Sequence, residues 1–397
     1  MNAQTVGLIM SGGGARAAYQ VGVLRAIASM LPQRAPNPFG IICGTSAGAI
    51  NAASLASNAD RFDRAVARLA HTWGNLHIGH VYRANLQGAI VSLWRGGAAL
   101  VSAELHRHPP ASLLDCAPLA NLLSRLIDFT RIQRTIDAGH LGALCVTASS
   151  YTSGDSISFF QDDGSHEPWR RARRVGRPAE IGAAHVLASC ALPFAFPVVS
   201  IEGEHFGDGS MHQLAPMSDA LHLGAQRVLV IGVGSTAIGE RSVRDPGAWP
   251  SFAQIAGHML DAIFNDTLDM DLERLQRVNR TLAFIPEDVG SRQGAGLRRI
   301  ETLVIRPSES IAEIAAAHAD ELPKVMRWVL RRVGVLEPNG ARVLSYLLFE
   351  RGYCRHLMRL GFSDAMAQRE SILNFLGYDS PVARQSEDTH SEEKMTV

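Results

Sequence analysis

The sequence predicts an α/β fold on a largely parallel sheet, and three observations predict it. "VGLIM" (6–10) is a short apolar run that ends in glycines, with apolar residues at helical spacing after it. "FGIICGT" (39–45) repeats that order of events and leads into a helix of mostly small residues. "AQRVLVIGVGS" (225–235) is a further buried run. In sheets of this kind sites lie beyond the carboxyl ends of the strands, and both glycine loops occupy that position.

The remaining elements follow in chain order. The first helix is read from Ala17, Val21, Leu24, Ala28 and Leu31, until Pro32 stops the pattern. Residues 60–140 read as mostly helical, with a glycine-interrupted apolar segment inside them. "LGALCVTASSY" (141–151) and "DSISFFQ" (155–161) read as adjacent strands. A helix is expected through "PAEIGAAHVLASC" (178–190), then short strands at "FPVVSI" (196–201) and "EHFGDGS" (204–210). From about 310 the chain reads as helical without a clear strand, and "ARQSEDTHSEEKMTV" (383–397) as a disordered polar tail. No internal repeat is visible.

Composition bounds what such a fold does. The chain has 397 residues, 46% apolar and 19% charged, enough for one large domain plus an appendage. Formal net charge is zero, which gives no reason to expect a nucleic-acid partner. Cys43, Cys116, Cys145, Cys190 and Cys354 are scattered and odd in number, with no metal-ligand or CxxC spacing. That favours a reducing compartment and no metal. The opening "MNAQTVGLIMSGGG" lacks a basic segment before a long apolar one, and no apolar run reaches twenty residues. The expectation is a cytoplasmic chain, with surface contact to a membrane left open.

Ser46 is the residue that placement singles out, in Gly44-Thr45-Ser46-Ala47-Gly48. A serine hydroxyl is a poor nucleophile until it is exposed, oriented and given a base. A tight strand-to-helix turn supplies the first two, and it demands small neighbours such as Gly44 and Gly48. The helix that follows adds backbone N–H groups near a developing oxyanion.

The other loop, "SGGGARAAYQVGVL", leaves the amides of Gly12, Gly13 and Gly14 uncovered at a helix start. A nucleotide phosphate loop would need a Gly-Lys-Ser/Thr ending, which is absent. A dinucleotide fingerprint would need an acidic residue about twenty positions on, and none precedes Asp60. An oxyanion hole beside Ser46 remains, or a tight turn that only packs. The loop is expected at the surface, with Arg16 anchoring it or touching a phosphate headgroup. Asp208, between Gly207 and Gly209 at a strand end, is by default a turn former; its carboxylate is expected to point outward from that turn.

Taken together, Gly12-Gly13-Gly14-Ala15-Arg16, Gly44-Thr45-Ser46-Ala47-Gly48 and Asp208-Gly209-Ser210 closely resemble the ordered motifs of the patatin-like phospholipase family. The resemblance spans about residues 5–235, including "LASCALPFAFPVV", and extends loosely to 306. "SYLLFERGYCRHLMRLGFSDA" resembles the helical C-terminal extension of some bacterial members. The resemblance implies a three-layer α/β/α sandwich over 5–306, a helical extension over 307–382, and hydrolysis of phospholipid or lysophospholipid acyl esters without metal or cofactor. It implies Ser46 as nucleophile, Asp208 as its base without a histidine, and Gly12, Gly13 and Gly14 as oxyanion donors, with Arg16, Gly44, Gly48 and Gly209 in support. Two departures stand out: Ser210 replaces the usual small residue after Asp-Gly, and Ala17 replaces a common glycine. Acyl transfer or thioester hydrolysis on the same pair, or a non-catalytic lipid- or partner-binding module, are the alternatives. A serine–histidine triad is kept in view by His205 and His212, which lie in the Asp208 loop.

Three further segments are weighed. "GVGSTAIG" (232–239) imitates a phosphate loop but lacks lysine. "WRRARRVGRP" (169–178) reads first as a solvated face and second as a contact for anionic lipid. "AIVSLWRGGAALV" (89–101) reads as a core helix or a mobile apolar lid.

Overall fold

The computed structural model describes residues 5–84, 114–193, 195–234, 249, 251–284, 298–337 and 340–378. The segment 89–101, residues 235–239 and the tail 383–397 lie outside the described residues.

The strands β1 (Val6–Met10), β2 (Ile41–Thr45), β3 (Arg83–Ala84), β4 (Leu114–Asp115), β5 (Ala143–Ser150), β6 (Ser156–Gln161), β7 (Trp169–Arg171), β8 (Arg174–Pro178), β9 (Val199–Ile201), β10 (Glu204–Asp208), β11 (Arg227–Ile231) and β12 (Glu301–Ile305) follow in order. All but β3 and β4 join one sheet, ordered β12-β11-β1-β2-β5-β6-β8-β7, with β10 on β5 and β9 on β10. β12, β11, β1, β2 and β5 run parallel, and β6 antiparallel to β5. Parallel strands are buried on both faces, and β1 and β2 are buried at every position.

Alternation along these strands feeds two cores. Leu8, Met10, Ile42, Leu144 and Val146 face α1 (Ala18–Met30), α2 (Ala47–Ala56) and α3 (Phe62–Gly74). Ile9, Ile41, Cys43 and Cys145 face the short α5 (Ser218–His222) and the longer α7 (Thr267–Leu282), with α4 (Ala183–Ser189) and α6 (Phe252–Asp261) preceding them in sequence. Helices on both faces of a mostly parallel sheet make the expected α/β/α arrangement.

The C-terminal helices share the larger core. α8 (Ala341–Leu347) and α9 (Arg351–Ala367) contribute Leu344, Tyr353, Leu357 and Leu360 to it. α1 and α9 approach so closely that a Cβ on Gly22 would enter the Met358 carbonyl, and one on Gly361 the Tyr19 carbonyl. Tyr19 also donates its hydroxyl proton to Asp364 at 2.9 Å.

The structure departs from sequence expectation in several places. The helix expected over 178–190 spans only Ala183–Ser189. Ala179 N–H is tied to the Phe160 carbonyl and Ile181 N–H to Gln161, which holds that stretch extended along β6. The arginine run folds as the β7–β8 hairpin, with β8 parallel to β6. Its arginines divide: Arg170 pairs with Asp155 at 3.3 Å and Arg177 with Glu204 at 2.8 Å, while Arg171 and Arg174 line a cavity. β12 adds an edge strand the pattern did not announce.

The α1–α9 contact generates a prediction. Gly361→Ala must push two backbones apart and should destabilise the protein by about 1–3 kcal/mol. Gly79→Ala, with open space around it, should change stability by no more than about 0.5 kcal/mol. Thermal denaturation of both checks this; equal melting temperatures would remove the packing argument.

Candidate active site

Ser46 stands between β2 and α2 at φ 54° and ψ −128°, a sparsely populated conformation that costs about 1–3 kcal/mol. The surroundings hold it there. A Cβ on Gly48 would enter the Met10 carbonyl and one on Gly44 the Gly48 carbonyl, so strand and helix meet only if both are glycine. Ser46 N–H donates to Ser189 Oγ at 2.8 Å, and that hydroxyl donates to the Thr147 carbonyl at 2.6 Å. Ser189 was not singled out from the sequence, although it lies in the "LASCALPFAFPVV" stretch.

Asp208 reaches Ser46 because of how two strands end. β2 runs parallel to β5 and finishes with Thr45 opposite Thr147. β10 runs antiparallel to β5 and finishes with Asp208 opposite Ala148. The carboxyl ends of β2 and β10 therefore meet head to head on one edge of β5. Ser46 Oγ donates to Asp208 Oδ2 at 2.6 Å, and Ser210 N–H donates to Oδ1 at 2.9 Å. A Cβ on Gly209 would enter the Thr147 carbonyl, which fixes that position as glycine. Ser210 leaves the turn intact.

The expectation that Asp208 points outward is wrong. Its residue is 1% exposed and Ser46 6%, because β10 ends against β2 and not against solvent. Burial pushes the Asp208 pKa up to about 6, against the opposing hydrogen bonds from Ser46 and Ser210. No histidine among the described residues bonds to either group: His205 is exposed on β10, and His212 Nδ1 is buried without a partner.

The glycine loop is buried too, where a surface loop was expected. Gly12 and Gly13 are buried, with Phe264 and the Ser210 hydroxyl against the first and Val233 against the second. A valine at position 13 would collide with Val233. Gly14 has φ 55° and lies on the Tyr346 carbonyl. No described residue accepts a hydrogen bond from the N–H of Gly12, Gly13 or Gly14. Arg16, 4% exposed, holds the loop from behind: Nε donates to Ser345 Oγ at 2.8 Å, Nη1 to Asp261 at 3.4 Å, and Cζ lies 3.8 Å from the Tyr346 ring centre. Of its two expected uses, the geometry is that of an anchor.

A second polar chain runs beneath the pair. Thr45 donates to Gln213 at 2.7 Å, Gln213 to Thr147 at 3.3 Å, and Thr147 to buried Asp219 at 3.1 Å. Beside Asp208, whose N–H donates to the Ala191 carbonyl, an apolar cavity of about 200 Å³ is lined by Cys116, Leu119, Leu187, Cys190, Phe196 and Val199. Among the described residues no cluster of three metal-ligating side chains occurs, and no helix is long and apolar enough to cross a membrane.

Comparison with known proteins adds one firm result. The family model for patatin-like phospholipase matches residues 8–221, more than half of the chain. No curated protein matches. VipD from Legionella pneumophila is 12% identical at TM-score 0.31, covering 93% of this chain and 67% of its own. Human GIVD cytosolic phospholipase A2, solved with methyl gamma-linolenyl fluorophosphonate, is 13% identical at TM-score 0.40, covering 94% of this chain and 59% of its own. These two likenesses are too weak to add to the family match.

The buried carboxylate predicts a stability effect. Its folded pKa near 6 exceeds the unfolded value of about 3.9, so the folded state takes up the proton first as pH falls. The charged form therefore costs stability at pH 7.5, and that cost disappears between about pH 6 and pH 4. Asp208→Asn should be the more stable protein at pH 7.5, by up to about 3 kcal/mol, with the difference gone near pH 4. Denaturation curves at the two pH values test this; a less stable variant at pH 7.5 would contradict it.

Proposed function

The chain belongs to the patatin-like phospholipase family, and from that premise we propose that it hydrolyses acyl esters of phospholipids or lysophospholipids through a Ser46–Asp208 pair. The observation that supports this reading best is the buried 2.6 Å bond from Ser46 Oγ to Asp208 Oδ2, to which no histidine among the described residues bonds. Members of the family are lipid acyl hydrolases as a class; the roles of individual residues are our reading of this chain.

In that reading Ser46 Oγ attacks the ester carbonyl carbon as its proton passes to Asp208 Oδ2. Free carboxylates are weak bases, and the upward shift of Asp208 brings it nearer to the task. The tetrahedral oxyanion takes the unused N–H groups of Gly12, Gly13 and Gly14, whose positions Arg16 and Tyr346 fix before substrate arrives. Protonated Asp208 then gives its proton to the leaving alcohol, and the acyl group remains on Ser46. Water then attacks the acyl carbon as Asp208 takes its proton, and Asp208 returns that proton to Ser46 Oγ as the ester bond to serine breaks, which releases the acid and restores both side chains. The apolar cavity beside Ala191 suits the acyl chain. The acting unit is residues 5–306 together with the C-terminal helices that hold the glycine loop.

A fluorophosphonate probe should label the protein, and Ser46→Ala should abolish both labelling and release of fatty acid from a mixed lipid extract, by about 10⁴-fold or more. Asp208→Asn should fall almost as far, while His205→Ala and His212→Ala keep most activity. A histidine variant as inactive as Ser46→Ala, and still folded, would replace the pair with a triad. Because Asp208 must be ionised to accept a proton, kcat/KM should drop tenfold per pH unit below about pH 6. A profile flat down to pH 5 would remove Asp208 as the base.

A further inference from the structure

A cavity of about 520 Å³ opens between the β7–β8 hairpin, α5 and α7. Four arginines line it: Arg171 and Arg174 from the hairpin, Arg274 from α7, and Arg298 from the segment before β12. Three separate stretches of chain thus bring like charges to one place. Coulomb repulsion opposes that convergence unless an anion sits among the guanidiniums. The described residues supply little compensation. The guanidiniums of Arg174 and Arg274 make no hydrogen bond or close ion pair among the described residues, although both act on the Asp271 carboxyl through space, and the Arg171 guanidinium donates only to the Arg170 carbonyl at 3.4 Å. Arg298 donates to the carbonyls of Leu221 and Ala225 at 3.1 and 3.0 Å, which positions it without neutralising it. Among the described residues Asp271 is the single carboxylate in the lining, set against four arginines, and it already accepts from Met217 N–H at 3.0 Å.

The wall beside the arginines is built from stacked rings. Trp169 stacks on Phe160 at 4.9 Å and on His222 at 4.9 Å, with ring planes 19° and 11° apart. His222 Nδ1 donates to the Ser218 carbonyl at 2.7 Å, which leaves Nε2 as the free ring nitrogen. The floor is apolar, with Met217, Leu221, Leu275 and Ile300.

We propose that this cavity binds a phosphate-bearing anion, at a place distinct from the Ser46–Asp208 pair. Planar guanidinium forks match phosphate oxygens two at a time. The apolar floor accommodates a carbon chain attached to the phosphate. The arginine run seen in the sequence is therefore half of a site whose other half comes from residues a hundred positions further on.

Calorimetric titration tests this with the Ser46→Ala protein, which cannot turn over an ester. The probes are inorganic phosphate, dioctanoyl phosphatidic acid and dioctanoyl phosphatidylcholine. Either of the first two should bind, and exchanging exposed Arg171 and Arg274 for alanine should weaken that binding by about tenfold for each guanidinium lost. Phosphatidic acid binding far more tightly than phosphate supports a lipid source, and equal binding supports a free phosphate source. The proposal is overturned if neither binds, if the arginine variants bind as before while circular dichroism shows them folded, or if phosphatidylcholine binds as tightly as phosphatidic acid.

Discussion

Two strands that end head to head on the same edge of β5 are the constraint from which the rest of the site follows. β2 arrives parallel and β10 antiparallel, and the register places Thr45 and Asp208 at consecutive positions, opposite Thr147 and Ala148. No loop has to be ordered to bring serine and carboxylate together; backbone pairing does it. The gap between the two ends is closed by Ser189, which binds Ser46 N–H on one side and the Thr147 carbonyl on the other. Gly209 is needed because a Cβ there would enter that same carbonyl. Strain at Ser46, about 1–3 kcal/mol, is set against an array of hydrogen bonds that leaves it no relaxed alternative.

That arrangement sets basicity against stability. A carboxylate kept in water would hold its low proton affinity and serve poorly as a base. Enclosing it between β2, β10 and the turn at Ser210 raises its affinity, while two hydrogen bonds keep the ionised form within reach. The same enclosure penalises the folded state near neutral pH. Asp219, buried a few residues further along and steadied by Thr147, shows the sheet face tolerating a second such group. Basicity is a property of where the strands stop.

Much of this was legible in the sequence. Glycines at fixed distances from Ser46 and beside Asp208 are local signals, because tight turns need small residues within a few positions. The order of buried strands was legible for the same reason, since β1, β2 and β11 are continuous apolar runs. What escaped depends on distant partners. Nothing in the Asp208 motif says that β10 runs antiparallel to β5, so the inward direction of its carboxylate was missed. Burial of the glycine loop is decided by Phe264 and Tyr346, and the partners of Arg16 lie at 261, 345 and 346. The β7–β8 hairpin was hidden by its arginines, whose charge outweighs strand propensity in any pattern reading. The shortened helix at 183 reflects bonds to β6 that periodicity cannot see.

The anchoring of Arg16 also bears on how the protein is made. The glycine loop leaves the ribosome long before its brace, because the hydroxyl that receives the Arg16 Nε proton lies 329 residues later. At ordinary elongation rates of about 5–20 residues per second, that separation lasts on the order of tens of seconds. By the last part of that interval the elbow, Asp208 and the strands up to β11 are already available, while the loop still has nothing behind it. The contact that braces the glycine loop is one that only a chain synthesised through α8 can make. In the reading proposed above, the acyl-hydrolase site is therefore completed only once the chain through α8 has been made.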